Sequence, residues 1–171
     1  GYSVTVFDLV GSAMEEVVTD GAKAASSAKE VAEAAPVVIT MVPDSPQSEA
    51  AILGPNGVLE GASAGSVVID MSSIAPGSSQ KIAAACEAAG VAFLDAPVSG
   101  GEPGAVAGTL AIMVGGKQDV LDTQRELLES IGGSTVLCGD YGAGNTPNLA
   151  NQIIVAANIE AVGEAFTLAK K

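Results

Sequence analysis

A rhythm narrows the fold more than any single residue does: short apolar runs recur, each followed by a stretch with helical spacing. Pro36-Val37-Val38-Ile39-Thr40-Met41-Val42 is continuous and nearly apolar, and Pro43 closes it, which suits a strand buried on both faces. A helix from Ser45 to Leu53, a turn at Pro55-Asn56-Gly57, a strand from Ser66 to Asp70, a helix from Gly77 to Ala89 and a strand from Val91 to Leu94 follow in turn. Strands and amphipathic helices alternating at this spacing make βαβ units and a mostly parallel sheet. The class is α/β.

The flanks extend the pattern. Tyr2 to Phe7 reads as a strand, with Ser12 as a candidate cap and Glu15-Glu16 as an acidic first turn for the next helix. Ser26 or Ser27 can cap a helix running to Ala34, with Glu30 placed for a capping box. Beyond Asp95 come a glycine-rich loop, a strand Leu110 to Val114, a helix Lys117 to Ile131, a strand Ser134 to Cys138 and a second glycine-rich stretch, Gly139 to Gly144. Thr146-Pro147 is a natural cap and first-turn pair. It opens a helix to Lys171, apolar through Leu149, Ile153, Ile154, Ala157, Val162, Phe166 and Leu168. So wide an apolar face needs partners on several sides.

Composition removes whole classes of function. The 171 residues carry 20 acids against 7 bases, a net charge of −13. No basic stripe is available to neutralise phosphates, so neither nucleic acid nor an anionic membrane is an expected partner. With no histidine, a Ser-His-Asp triad and a His-ligated metal are excluded, and Cys86 and Cys138 are too far apart for a CxxC site, so no metal is expected. Two lone cysteines suit buried small hydrophobes in a reducing compartment, which places the expected location in the cytoplasm. The longest uninterrupted apolar runs fall far short of the ~20 residues of a membrane span, and no signal peptide is visible. A first residue of Gly1 directly before a strand gives the expectation of a chain trimmed at its front.

In doubly wound sheets ligands sit outside the carboxyl ends of the strands. The residues there are Asp8, Val42 to Ser45, Met71 to Pro76, and Asp95 to Gly101. An acid such as Asp8 can accept both ribose hydroxyls of an adenosine, or it can be an ordinary helix-entry residue. Ser72-Ser73 can line a ligand or cap the helix after Pro76. Gly100-Gly101 lets backbone N–H groups approach a carboxylate, or it is a plain turn. Gly139 to Gly144 can offer free N–H groups to an anion, or simply lead into a helix.

Together these segments carry a resemblance. Asp95-Ala96-Pro97-Val98-Ser99-Gly100-Gly101-Glu102-Pro103-Gly104-Ala105, with Gly108-Thr109-Leu110 after it, closely resembles the substrate-binding signature of the β-hydroxyacid dehydrogenases. That family includes 3-hydroxyisobutyrate dehydrogenase, tartronate semialdehyde reductase and glyoxylate-reducing relatives. Ile39 to Pro46 and Ile69 to Pro76 resemble its nucleotide-side loops, and Gly142 to Gln152 resembles the start of its long interdomain helix. Ser72 to Pro76 and Gly101-Glu102-Pro103 are most similar to tartronate semialdehyde reductase.

The resemblance implies a Rossmann-like doubly wound sheet lacking its first βα unit over residues 1–146. It implies the start of an interdomain helix over 147–171, with the all-helical C-terminal domain absent. It implies hydride transfer between NAD and a small carboxylated alcohol or aldehyde. Asp8, with Leu9-Val10 and no arginine beside it, would hold the ribose and favours NAD, NADP being the alternative. Val42, Pro43, Ser72 and Ser73 would line the cofactor's path. Ser99, Gly100 and Gly101 would hold the substrate carboxylate, with Asn151 and Gln152 orienting the substrate. The full-length family would assemble as a homo-oligomer.

One departure bears on chemistry. The position of the family's catalytic lysine reads Asn148, after Pro147. Asparagine exchanges no proton near neutral pH, so a general acid/base contribution of typically ~10²- to 10⁴-fold is forfeited. Lys170 and Lys171 lie about six turns on, roughly 33 Å at 1.5 Å per residue, too far to substitute. A second reading is thus a non-catalytic module that binds carboxylates or self-associates.

Overall fold

The computed structural model describes residues Gly1 to Lys170; Lys171, the last residue of the expected final helix, lies outside them. A short strand β1 (Thr5–Val6) leads through α1 (Gly11–Thr19) to β2 (Lys23–Ala24), its parallel partner in a two-stranded sheet. After α2 (Ala28–Ala34) the main sheet begins. It comprises β3 (Val37–Thr40), α3 (Ser45–Leu53), α4 (Val58–Gly61), β4 (Val67–Asp70), α5 (Pro76–Ala88) and β5 (Ala92–Asp95). The chain then makes β6 (Val98–Ser99), α6 (Gly101–Ala107), β7 (Leu110–Gly116), α7 (Gln118–Glu129), β8 (Gly132–Gly139) and α8 (Asn145–Ala169).

The main sheet runs β3-β4-β5-β7-β6, with β8 also on β7. β3, β4 and β5 are parallel, as are β7 and β8, whereas β7 pairs antiparallel with β5 and β6. Against the doubly wound order 3-2-1-4-5-6, β2-β1 and β3-β4-β5 correspond to 3-2 and 4-5-6, so the sheet is split between β1 and β3. Register aligns Thr40 with Asp70, Asp70 with Asp95, and Asp95 with Gly115. Three polar side chains thus stand side by side on the carboxyl edge.

Two apolar cores cover the two faces. Val38, Val68 and Phe93 pack with Ile52, Val58, Ile82 and Cys86 on one side. Val67, Ile69, Leu94, Ile112 and Val114 pack with Leu121 and Leu128 on the other. β4 alternates between the two cores and is buried throughout.

Several expectations are corrected by packing. β3 is an edge strand rather than one buried on both faces, and Ile39 is 40% exposed. The Tyr2–Phe7 strand shrinks to Thr5–Val6, because β2 offers only two residues to pair. Ser12 lies inside α1, whose cap is Val10, and Glu15-Glu16 fall beyond its first turn. Ser27 does cap α2 by accepting from the Glu30 N–H, while the Glu30 carboxylate accepts from the N–H and hydroxyl of Ser26. The glycine-rich loop after Asp95 holds β6 and α6. Gly144, not Thr146, caps α8; the Thr146 hydroxyl donates to the Gly142 carbonyl from the helix's first turn.

Only Asn145 and Asn148 are buried along α8, and Ile153, Ile154, Ile159, Val162, Phe166 and Leu168 are exposed. With 25 residues spanning about 37 Å, α8 is the one described helix long and apolar enough to cross a membrane. Uninterrupted runs did not anticipate that, because Asn151, Gln152, Asn158, Glu160 and Glu164 punctuate it.

The edge position of β3 yields a contrast measurable by denaturant titration. Ile69→Ala is expected to cost ~2–5 kcal/mol, as for a buried isoleucine. Ile39→Ala should cost under about 1 kcal/mol with an unchanged m-value. Equal losses would show that both faces of β3 are covered.

Candidate functional site

The carboxyl edge is organised by backbone donors meeting side-chain acceptors. Asp70, fully buried, accepts from the Thr40 hydroxyl at 3.0 Å and the Ser72 N–H at 3.1 Å through Oδ1. Its Oδ2 has no partner among the described residues. Ser72 Oγ accepts from the Val42 N–H at 2.9 Å, and Ser45 Oγ accepts from the Ala75 N–H at 3.0 Å. The loops after β3 and β4 are therefore tied to each other. Ser72 is buried in that tie and shapes the wall, while Pro43 and Ser73 are exposed and Val42 half-buried. The cap of α5 is Ala75, so neither serine caps it.

Asp8 follows β1 and is exposed. Its Oδ1 accepts from the Val10 N–H at 2.7 Å, which fixes the carboxylate and leaves Oδ2 without a partner among the described residues. A fixed acid at a strand's carboxyl end suits ribose hydroxyls.

The second segment follows β5. Gly100 has φ 139° and Gly101 φ 61°, backbone that favours glycine. A side chain at Gly100 would also meet Leu110 Cδ2 at 3.1 Å. Among the described residues no group accepts from the N–H of Gly100, Gly101 or Glu102. Ser99 is half-buried beside them. This is a turn with unspent donors, the arrangement that suits a carboxylate.

A third group, which sequence reasoning did not single out, joins these segments to α8. Asp95 is fully buried, and its carboxylate accepts from Gly142 N–H at 2.7 Å, Gly144 N–H at 3.0 Å and Asn145 N–H at 3.2 Å. The N–H groups of the Gly139–Gly144 stretch do meet an anion, and it is the protein's own. Burial pushes the Asp95 carboxyl up from its ordinary range, opposed by those three donors. Asn145, also fully buried, accepts from the Ile74 N–H at 3.0 Å and donates to Ser79 Oγ at 3.2 Å.

Three residues further on, Asn148 Nδ2 donates to Ser73 Oγ at 2.8 Å. The structure thus brings Asn148 and Ser73 together, and likewise Val42 and Ser72. Asn151 is half-buried and Gln152 exposed on the following turn. Among the described residues neither side chain makes a hydrogen bond to Ser99, Gly100 or Gly101. The only signal for Asp95 was its place at the head of the glycine-bearing run; its partners lie 47 to 50 residues away.

Comparison with known proteins shows the family. Residues 1–139 match the family model described as the NAD binding domain of 6-phosphogluconate dehydrogenase. The chain is 44% identical over 162 residues to 2-hydroxy-3-oxopropionate reductase of Escherichia coli strain K12, covering 95% of this chain and 56% of that protein. It is 43% identical over 168 residues to an NAD-dependent L-serine dehydrogenase of Pseudomonas aeruginosa, covering 98% of this chain and 56% of the relative. The solved structure of Mycobacterium tuberculosis 3-hydroxyisobutyrate dehydrogenase with L-serine superposes with a TM-score of 0.91 at 37% identity, over all of this chain and 58% of that one. The chain spans about half the length of these relatives. It belongs to the β-hydroxyacid dehydrogenase family and carries that family's NAD-binding domain.

Proposed function

We propose that this chain provides the cofactor-binding and carboxylate-binding part of an NAD-dependent oxidoreductase acting on a small β-hydroxyacid or its semialdehyde. The substrate class nearest to hand is 2-hydroxy-3-oxopropionate, on the likeness to the bacterial reductase. The observation that carries the reading is the Gly100–Gly101 turn. Its unspent N–H groups follow β6, five residues past Asp95 on the carboxyl side of β5, the side on which a doubly wound fold binds its ligands. Residues 1–146 form the binding domain in this reading, and the rest of α8 leads out of it, its exposed apolar side available to a homo-oligomeric assembly.

When bound, the nicotinamide supplies or accepts the hydride. The chain's own residues hold and orient. Asp8 Oδ2 is placed for ribose hydroxyls, and Val42, Pro43 and Ser73 wall the path. Ser99 and the N–H groups of Gly100 and Gly101 take the substrate carboxylate. Asn151 and Gln152 follow Asn148 on α8. The side chain at 148 has the reach to donate toward the loop of Ser73, but as a carboxamide it cannot take up or release the hydroxyl proton.

Asn148 also favours a second reading, a module that binds cofactor and carboxylate without turnover. Reduced-nicotinamide absorbance with 2-hydroxy-3-oxopropionate separates the two. Asn148→Lys is expected to raise turnover by ~10²- to 10⁴-fold if the position moves a proton. A rate unmoved by the lysine, with ligand still bound, selects the binding module.

The carboxylate turn has its own test, glycerate titration followed by amide chemical shifts. Saturable shifts are expected at Gly100, Gly101 and Glu102, and Gly100→Ala should weaken binding at least about tenfold, ~1.4 kcal/mol. An alanine variant that binds as tightly as the parent would move the carboxylate elsewhere.

A further inference from the structure

We infer that Asp95 and Asn145 are positioning residues that lock α8 to the sheet in one register, and so couple the carboxylate turn at Gly100–Gly101 to position 148. The coupling to function rests on the reading proposed above; the lock itself rests on geometry alone.

An anion inside a protein is held against a large loss of solvation, and it persists when several donors converge on it. None of the ion pairs among the described residues includes Asp95. Three backbone N–H groups take the place of a cation, all from Gly142, Gly144 and Asn145. Two of the surrounding positions leave no room for a side chain. A Cβ on Gly144 would strike the Met113 carbonyl and lie 2.7 Å from the Asp95 carbonyl, and one on Gly115 would strike Asp95 Oδ1 and lie 2.7 Å from the Gly144 N–H. The helix start is thus pressed directly onto the ends of β5 and β7.

Asp95 alone would leave α8 free to turn about its axis. Asn145 removes that freedom, because its carboxamide spans Ile74 N–H on the loop after β4 and Ser79 Oγ on α5. Three residues add about 300° of helical rotation and about 4.5 Å of rise, so positions 145 and 148 face the same loop one turn apart. That loop receives them at Ile74 and Ser73 respectively. From Asp95 the backbone runs on through Ala96 to Ser99 into the glycine turn. One residue therefore holds the helix with its side chain and carries the carboxylate turn on its main chain.

A residue that only stabilises would change the folded fraction and nothing at 148. The test is NMR on the intact chain, comparing the parent with Asp95→Asn and Ser79→Ala. In the parent, the amides of Gly142, Gly144 and Asn145 should be protected from exchange, and glycerate should shift both the Gly100–Gly101 amides and the Asn148 side-chain amide. Asp95→Asn presents one acceptor oxygen to three donors. It should lower protection of those amides at least about tenfold, displace the Asn148 side-chain signal as Ser73→Ala does, and abolish its response to glycerate. Ser79→Ala, a milder change, should displace the Asn145 and Asn148 signals while the protein stays folded, and it carries the test if Asp95→Asn does not fold. Folded variants whose Asn148 signals match the parent's overturn the inference. Loss of glycerate shifts at Gly100–Gly101 in the parent, with the Asn148 signals still responding to Asp95→Asn and Ser79→Ala, overturns the proposed function and leaves the lock standing.

Discussion

The contact on which the rest depends is a buried carboxylate meeting three main-chain N–H groups. Asp95 ends β5, the strand whose register carries the carboxyl edge from Thr40 through Asp70, and its partners open α8. An α-helix begins with N–H groups that lack intrahelical acceptors and a partial positive charge. A carboxylate at that point answers both needs. Because the acid is supplied by the sheet, the helix cannot shift without uncovering it, and an uncovered buried anion is costly. The long helix, exposed along almost all of its length, is thereby anchored at one end by polar contacts rather than by apolar burial.

The same logic accounts for the loops beside it. Asp70 draws Thr40 and Ser72 together, Ser72 receives Val42, and Ser45 receives Ala75. The Ser72 N–H to Asp70 bond is local, and the other three join β3 or the segment after it to β4 or the segment after it. Such cross-loop bonds make the carboxyl edge a connected wall, held by main-chain donors and the Thr40 hydroxyl, and they explain why the serines there are of two kinds. Ser72 is inside the wall, and Ser73 faces out toward Asn148.

Much of this fold is legible in the order of residues. α3 begins and ends where expected because Asp44 can cap it and Pro46 sits in its first turn. The Ser27–Glu30 exchange is local and so is read directly. What escapes is what depends on distant partners. β2 is two residues with no apolar pattern and exists because β1 lies alongside. β6 and α6 hide in a glycine-rich segment, since their order comes from packing on β7. Ile39 resembles its neighbours in sequence, and only the packing shows that it is partly exposed. For the site, the glycine turn was legible because backbone demands are written in residue type, and the structure gives Gly100 and Gly101 the positive φ such a turn requires. The role of Asp95 is not legible in that run, since no local rule reaches to residue 145.

In the proposed function, Asn148 separates binding from chemistry at a single residue. Its carboxamide donates to Ser73 as an ammonium could, so the local structure tolerates it, and it sits 2% exposed. A lysine at the same place would be longer and charged, and would have to extend past Ser73 to open space, since burial of an unpaired ammonium is unfavourable. In the proposed function that direction is toward the substrate. Asparagine instead folds back onto the protein and satisfies its own donor. The lock at Asp95 and Asn145 thus presents whatever residue stands at 148 to the same place. In the proposed function that side chain decides whether the place holds a hydrogen bond or moves a proton.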